Sequence, residues 1–288
     1  MTAAMRTLLL LATLVALACG GSSSSSTATT TPDPESTSST TRYDIPSGDL
    51  AAAMAGAHRT DEERARDVWR HPVETLAFFE VEPGKDVVEL APGGGWYTKL
   101  LAPLLRDSGS LTVGLPDGQY GDGFRAMQAE HPELYGHVRV GRLAPPEAIE
   151  LGAPESADVV LTFRNTHGWI RNGVAPQVME AVFRVLRPGG IFGVVQHRDA
   201  EGAPVDPARG YLPEAAVIEL ATAAGFELVE RSEINANPRD TRDHPEGVWS
   251  LPPSLRGGDV DRARYEAIGE TDRMTLKFRR PVAPAAAP

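Results

Sequence analysis

The chain is expected to fold as an α/β domain with a doubly wound, seven-stranded, mostly parallel sheet and helices on both faces. Three observations carry this. Between residues 46 and 281, short apolar runs alternate with segments of helical period, which implies parallel strands joined by helical crossovers. The runs lack polar alternation, the pattern of strands buried on both faces. A glycine-rich turn, Ala91 to Gly95, lies between the first of these runs and a helix.

The elements follow in order. Asp49 to Ala57 reads as a short helix. Thr60 and Glu63 form a capping box for a helix over Asp61 to Trp69. Arg70-His71-Pro72 interrupts it, and Val73 to Phe79 is a further short helix. Asp86 to Leu90 is a buried strand, and Trp96 to Leu105 the helix beyond the turn. Leu111 to Leu115 is the second strand, Gly118 to Gly123 a loop, Phe124 to Glu130 a helix and Val138 to Leu143 the third strand. Asp158 to Phe163 is the fourth. Val178, Met179, Val182, Phe183 and Leu186 then give the stripe of a helix packed on a sheet. Pro188-Gly189-Gly190 closes that helix before the fifth strand, Ile191 to Val195. A helix over Pro213 to Ala224, with Gly225 beyond its end, precedes the sixth strand, Phe226 to Arg231. Asn235 to Gly257, rich in proline, glycine and polar groups, reads as a long ordered loop or lid. Asp261 to Ile268 is helical, Met274 to Arg279 is the last strand, and 282–288 is a disordered tail.

The beginning of the chain has a different character. Leu8 to Ala18 is apolar apart from Thr13 and follows Arg6, as in a signal peptide over residues 1–18. It ends at Val15-Ala16-Leu17-Ala18-Cys19-Gly20, which resembles the cleavage box of bacterial lipoproteins. That resemblance implies a lipid on Cys19, an anchor in a membrane, and an extracytoplasmic domain in the periplasm or on the cell surface. Residues 19–45 read as a Ser/Thr/Pro-rich tether, and Gly20 to Thr41 is nearly all Ser, Thr, Pro and Gly. Cys19 is the only cysteine, so disulfides, zinc–thiolate sites and a cysteine nucleophile are excluded from the domain behind it. The net charge is -11, and no window is dense in Lys or Arg, which argues against a nucleic-acid partner.

The turn is the most informative segment. A backbone of this kind lets a ligand approach closely, beside the positive end of a helix. A phosphate-binding loop would need Gly-Lys-Ser/Thr, and no lysine follows Gly95. A dinucleotide fingerprint would need a third glycine where Thr98 stands. What remains is Glu89-x-Ala91-x-Gly93-x-Gly95, which resembles motif I of class I S-adenosylmethionine (SAM)-dependent methyltransferases. Asp158, Leu186-Arg187-Pro188-Gly189-Gly190 and Ala224-Gly225-Phe226 resemble further marks of that family at its fourth, fifth and sixth strands. The chain is also similar to a family of predicted exported bacterial methyltransferases, in Pro92-Gly93-Gly94-Gly95-Trp96-Tyr97, Phe163-Arg164-Asn165-Thr166-His167-Gly168-Trp169 and Gln196-His197-Arg198 among other segments. The resemblance implies SAM as cofactor, with Glu89, Ala91, Pro92, Gly93, Gly94, Gly95 and Trp96 around it. The ribose acid of the family is displaced here to Asp117. Arg164-Asn165-Thr166-His167 stands where many amino-group methyltransferases carry Asn-Pro-Pro-Tyr, so the acceptor pocket is of another type.

Arg164, Asn165 and His167 follow the fourth strand, and His197 and Arg198 the fifth. Neighbouring strand ends lie about 5 Å apart, so these groups should converge as the catalytic set. A histidine could serve as general base, and Arg164 or Arg198 could clamp an anionic acceptor. The leading reading is a SAM-dependent methyltransferase acting on a small molecule or a cell-envelope component. The alternative is a diverged fold that binds another ligand or performs non-methylating, metal-assisted chemistry, because SAM is made in the cytosol and the signal directs this domain elsewhere. No tight metal-ligand spacing occurs, and no metal site is assigned. A Cys19→Ala form is expected to leave the membrane fraction for the soluble one on cell fractionation; retention in the membrane would refute the anchor.

Overall fold

The computed structural model describes residues 45–282. The expected signal segment, Cys19, nearly all of the tether and the tail beyond Val282 lie outside the described residues. Eight strands form one sheet: β1 Asp86–Leu90, β2 Ser110–Leu115, β3 Arg139–Ala144, β4 Ala148–Glu150, β5 Ala157–Phe163, β6 Leu186–His197, β7 Glu227–Ser232 and β8 Arg273–Arg279. Their order is β4-β3-β2-β1-β5-β6-β8-β7. The inner pairs β2–β3, β1–β2, β1–β5 and β5–β6 are parallel. The outer pairs β3–β4, β6–β8 and β7–β8 are antiparallel. The sheet is therefore mostly parallel and flanked by helices, with one strand more than expected.

Consecutive strand residues explain the unbroken apolar runs. Val87, Val159 and Leu161 face a core shared with Leu100, Leu101 and Leu104 of the helix Thr98–Leu105. Val88, Val160 and Phe192 face the opposite core, shared with Val178, Met179 and Val182 of the helix Ala175–Val185. Side chains alternate across a strand, so two covered faces demand an apolar residue at every position. Each such side chain contributes about 1.5–3 kcal/mol when fully buried.

Several boundaries differ from expectation for local reasons. The extra strand, β4, has only three residues and pairs Ile149 with Leu143, too short a piece to show a period. The helix Gln119–Glu130 runs through Gly121 and Gly123, where a loop is expected. Gly121 is there for close approach: a Cβ would lie 2.3 Å from Pro116 O. The helix expected over Asp61 to Trp69 is divided into Asp61–Arg64, with its capping box, and Asp67–Arg70. Pro188-Gly189-Gly190 does not precede β6 but lies within it, with an irregular register against β5.

The segment 235–257 is packed rather than open. Asp240, 1 % exposed, accepts from Tyr211 Oη (3.0 Å) and from the backbone N–H groups of Arg242 (3.0 Å) and Asp272 (2.8 Å), and lies 2.8 Å from His244 Nε2. Asp272 in turn accepts from Arg198 (3.0 Å), Arg242 (2.6 Å) and Asn237 N–H (2.8 Å). Among the described residues no helix is long and apolar enough to cross a membrane. Replacing Asp240 with Asn would strand several buried donors, and equilibrium urea unfolding is expected to show a loss of roughly 3 kcal/mol.

Candidate functional site

The carboxyl ends of β1, β2 and β5 meet at one edge of the sheet, the side where ligands bind in doubly wound folds. Here the backbone after β1 turns through left-handed conformations at Ala91 (φ 46°), Gly93 (φ 59°) and Gly95 (φ 75°). The glycines differ in purpose. A Cβ on Gly93 or Gly94 would meet nothing within 4 Å, whereas one on Gly95 would lie 2.9 Å from Met127 Cε. Gly93 thus leaves room beside the backbone, and Gly95 permits close packing. Asn165 Nδ2 donates to Leu90 O (2.9 Å) and Thr162 Oγ1 (3.2 Å), tying the end of β5 to the start of the turn.

Glu89 and Trp96 face inward instead. Glu89 is buried and accepts from Thr98 Oγ1 at 2.6 Å, and burial pushes its carboxyl up to about 7. It braces the turn against the first residue of the following helix. Trp96 Nε1 donates to Glu63 O (3.0 Å), with the guanidinium groups of Arg59 and Arg70 at 5.0 and 4.7 Å from its ring. Pro92, Gly94 and Gly95 belong to the turn but, like Glu89 and Trp96, do not line the cleft beside it.

That cleft has a volume of about 900 Å³. Ala91, Gly93, Arg164, Asn165 and His167 line it together with Asp117, Tyr120 and Leu143. Asp117 is about half exposed and is engaged by Arg142, at 2.6 and 3.1 Å, which holds its carboxyl below the usual range. Trp249, brought in by the segment 235–257, also lines the cleft and meets His167 edge-on with ring centroids 5.8 Å apart.

The two histidines are neighbours, with ring centroids 5.7 Å apart. His167 Nδ1 lies 3.3 Å from Gln196 Nε2, and burial lowers its pKa to about 4. His197 is buried in a smaller pocket behind the cleft, and its Nδ1 shares a 2.6 Å hydrogen bond with Thr271 Oγ1. Burial, then the charge of Arg164, drive it strongly toward the neutral form. Arg164, with φ 67°, lines both the cleft and the rear pocket. Arg198 does neither: it is held by Asp272 (3.0 Å) and Glu233 (2.6 Å) and borders a different hollow. Among the described residues no group of three or more His, Cys, Asp or Glu side chains gathers as a metal site would. Trp249 and Glu270 reach the site without being singled out in the sequence, whereas Thr271 belongs to Thr271-Asp272-Arg273, a further segment in which the chain is similar to the exported bacterial family. Trp249 carries no local signal.

The parallel inner strands, the antiparallel insertion of β8 between β6 and β7 and the open glycine turn after β1 define the class I SAM-dependent methyltransferase fold. No protein-family model matches the chain. It is similar to a "probable S-adenosylmethionine-dependent methyltransferase" of Mycolicibacterium smegmatis, 32 % identical over 154 residues, which cover 50 % of this chain and 53 % of that protein. The chain thus spans about half the length of this curated relative. Among solved structures it resembles a SAM-dependent methyltransferase from Aquifex aeolicus (TM-score 0.51, 13 % identity, covering 81 % of this chain and 98 % of that one). It also resembles the [4+2]-cyclase SpnF (TM-score 0.54, 19 % identity, covering 74 % and 82 %). Both likenesses are of fold.

The carboxyl of Glu89 binds its proton more tightly folded (about 7) than unfolded (4.5), so its contribution to stability is complete below pH 4.5 and lost as pH rises through 7. Chemical denaturation is therefore expected to find Glu89→Gln more stable than the parent by roughly 3 kcal/mol above pH 7, with the gap narrowing as pH falls.

Proposed function

We propose that this protein is a SAM-dependent methyltransferase acting on a small molecule or cell-envelope component, and that it works as an extracytoplasmic lipoprotein of the exported type. The observation that carries this reading is the open backbone at Gly93, set in the wall of a cleft of about 900 Å³ that Asp117 also lines. The relative from Mycolicibacterium smegmatis, by its description, supports the same activity. The residues present fit the cofactor. The exposed turn can receive the methionyl end, Asp117 has lone pairs beyond those engaged by Arg142, and Leu143, Ala144 and Pro145 offer a wall for an adenine ring.

When bound, SAM supplies an electrophilic methyl group. The chain's own part is mostly positioning, which is the main requirement of an in-line displacement. Asn165 fixes the end of β5 against the turn. His167 is neutral at physiological pH and, with a pKa near 4, a weak base. It suits an acceptor that has already lost its proton, or none to lose, and serves that acceptor as a hydrogen-bonding partner.

A second reading is favoured by the Asp117–Arg142 pair and by the sharing of this fold with a cyclase. In it the same cleft serves another ligand. Calorimetric titration separates the two. The methyltransferase reading expects saturable binding of SAM and S-adenosylhomocysteine, weakened about tenfold (roughly 1.4 kcal/mol) by Gly93→Ala. A folded protein that binds neither compound supports the second reading.

A further inference from the structure

We propose that the small pocket behind the cleft is an oxyanion subsite, in which Arg164 contacts a carboxylate or phosphate group of the methyl acceptor. The word acceptor rests on the methyltransferase reading; the anion site does not.

Charge around Arg164 is unbalanced. Glu270, 2 % exposed, receives Arg66 Nε (2.6 Å), Arg70 Nε (3.2 Å) and Arg273 Nη2 (3.0 Å). Three guanidinium groups thus share one carboxylate. Arg164 adds a fourth positive charge beside them, and its guanidinium has no hydrogen-bond or ion-pair partner among the described residues. Arg66 Nη2 and Arg70 Nη2 are buried without a partner as well. A surplus of buried cations is costly unless an opposite charge completes it. The surplus is local, since the whole chain carries a net charge of -11.

Place and size agree with charge. Arg164 stands between the cleft and the rear pocket and borders both. The rear pocket has a volume of about 50 Å³, room for one small group but not for a whole acceptor. Its other polar walls are Glu270, His197, Ser254 and Thr271. His197, held neutral, adds no competing charge and can exchange a hydrogen bond with a ligand oxygen. A planar guanidinium with free N–H groups is suited to oxyanions, which it can meet with two parallel bonds. An oxyanion seated there leaves the body of its molecule in the cleft, beside His167 and Trp249. Arg198, fully engaged elsewhere, cannot take this part.

The test is titration calorimetry of the full chain with inorganic phosphate and with malonate, at fixed ionic strength and with chloride as background. Saturable binding of at least one oxyanion is expected, reduced on the order of tenfold or more in Arg164→Gln. Arg164→Lys keeps the charge without the fork and should fall between the two; it serves as the test variant if Arg164→Gln does not fold. Arg262→Gln, on an exposed helix face and outside both pockets, should bind as the parent does. No saturable binding, or binding unchanged in both Arg164 variants, overturns the proposal. S-adenosylhomocysteine is titrated in parallel. If its affinity falls in Arg164→Gln by the same factor as that of the oxyanion, the carboxylate held is the cofactor's own and the assignment to the acceptor is wrong. If it binds no form of the protein while the oxyanion does, the methyltransferase reading fails and the subsite stands.

Discussion

Two buried carboxylates at the entry to β8, Glu270 and Asp272, fix the arrangement around the rear of the cleft. Glu270 draws in Arg66 and Arg70 from the segments before β1, and Asp272 draws in Arg198 from just beyond β6 and Arg242 from the segment 235–257. These residues are far apart in the chain, with separations of 200 or more positions for the Glu270 pairs to Arg66 and Arg70. A buried ion that loses its partner costs several kcal/mol, so such segments have little freedom to settle elsewhere. The rear of the cleft, with His197 and Thr271, is assembled by this requirement as much as by the apolar cores on the two faces of the sheet.

Much of the fold is legible in the sequence because burial on both faces leaves so plain a pattern. β1 has the expected limits, and the turn after it has the expected backbone freedom. Local chemistry is what fails to announce itself where glycine serves contact rather than flexibility. Gly121 and Gly123 suggest a loop but sit in a helix, Gly121 against Pro116 O. β4 is too short for any periodic signal.

The site is less legible, and the arginines show why. Arg164 and Arg198 both follow a strand that ends at the same sheet edge, and the sequence offers no ground for ranking them. What separates them is distant: Glu233 and Asp272, which neutralise Arg198, stand 35 and 74 positions further on. Glu89 teaches the same lesson about the motif acid. Its type and spacing suggest a charge offered to a ligand, but desolvation and the Thr98 hydroxyl make it an internal brace. Identity of residue follows from spacing, whereas charge state follows from what the fold packs around it.

The pinned segment 235–257 bears on how the cleft meets a ligand. A stretch with this much proline, glycine and polar content would ordinarily be among the first parts of a domain to open. Here Asp240 and Asp272 tie it down from within, and Trp249 is carried on the tethered part. The entropy lost in ordering that wall is lost at folding, not at association. A ligand therefore meets a surface already in place, and selectivity in such a cleft rests on shape and charge complementarity more than on closure around the guest.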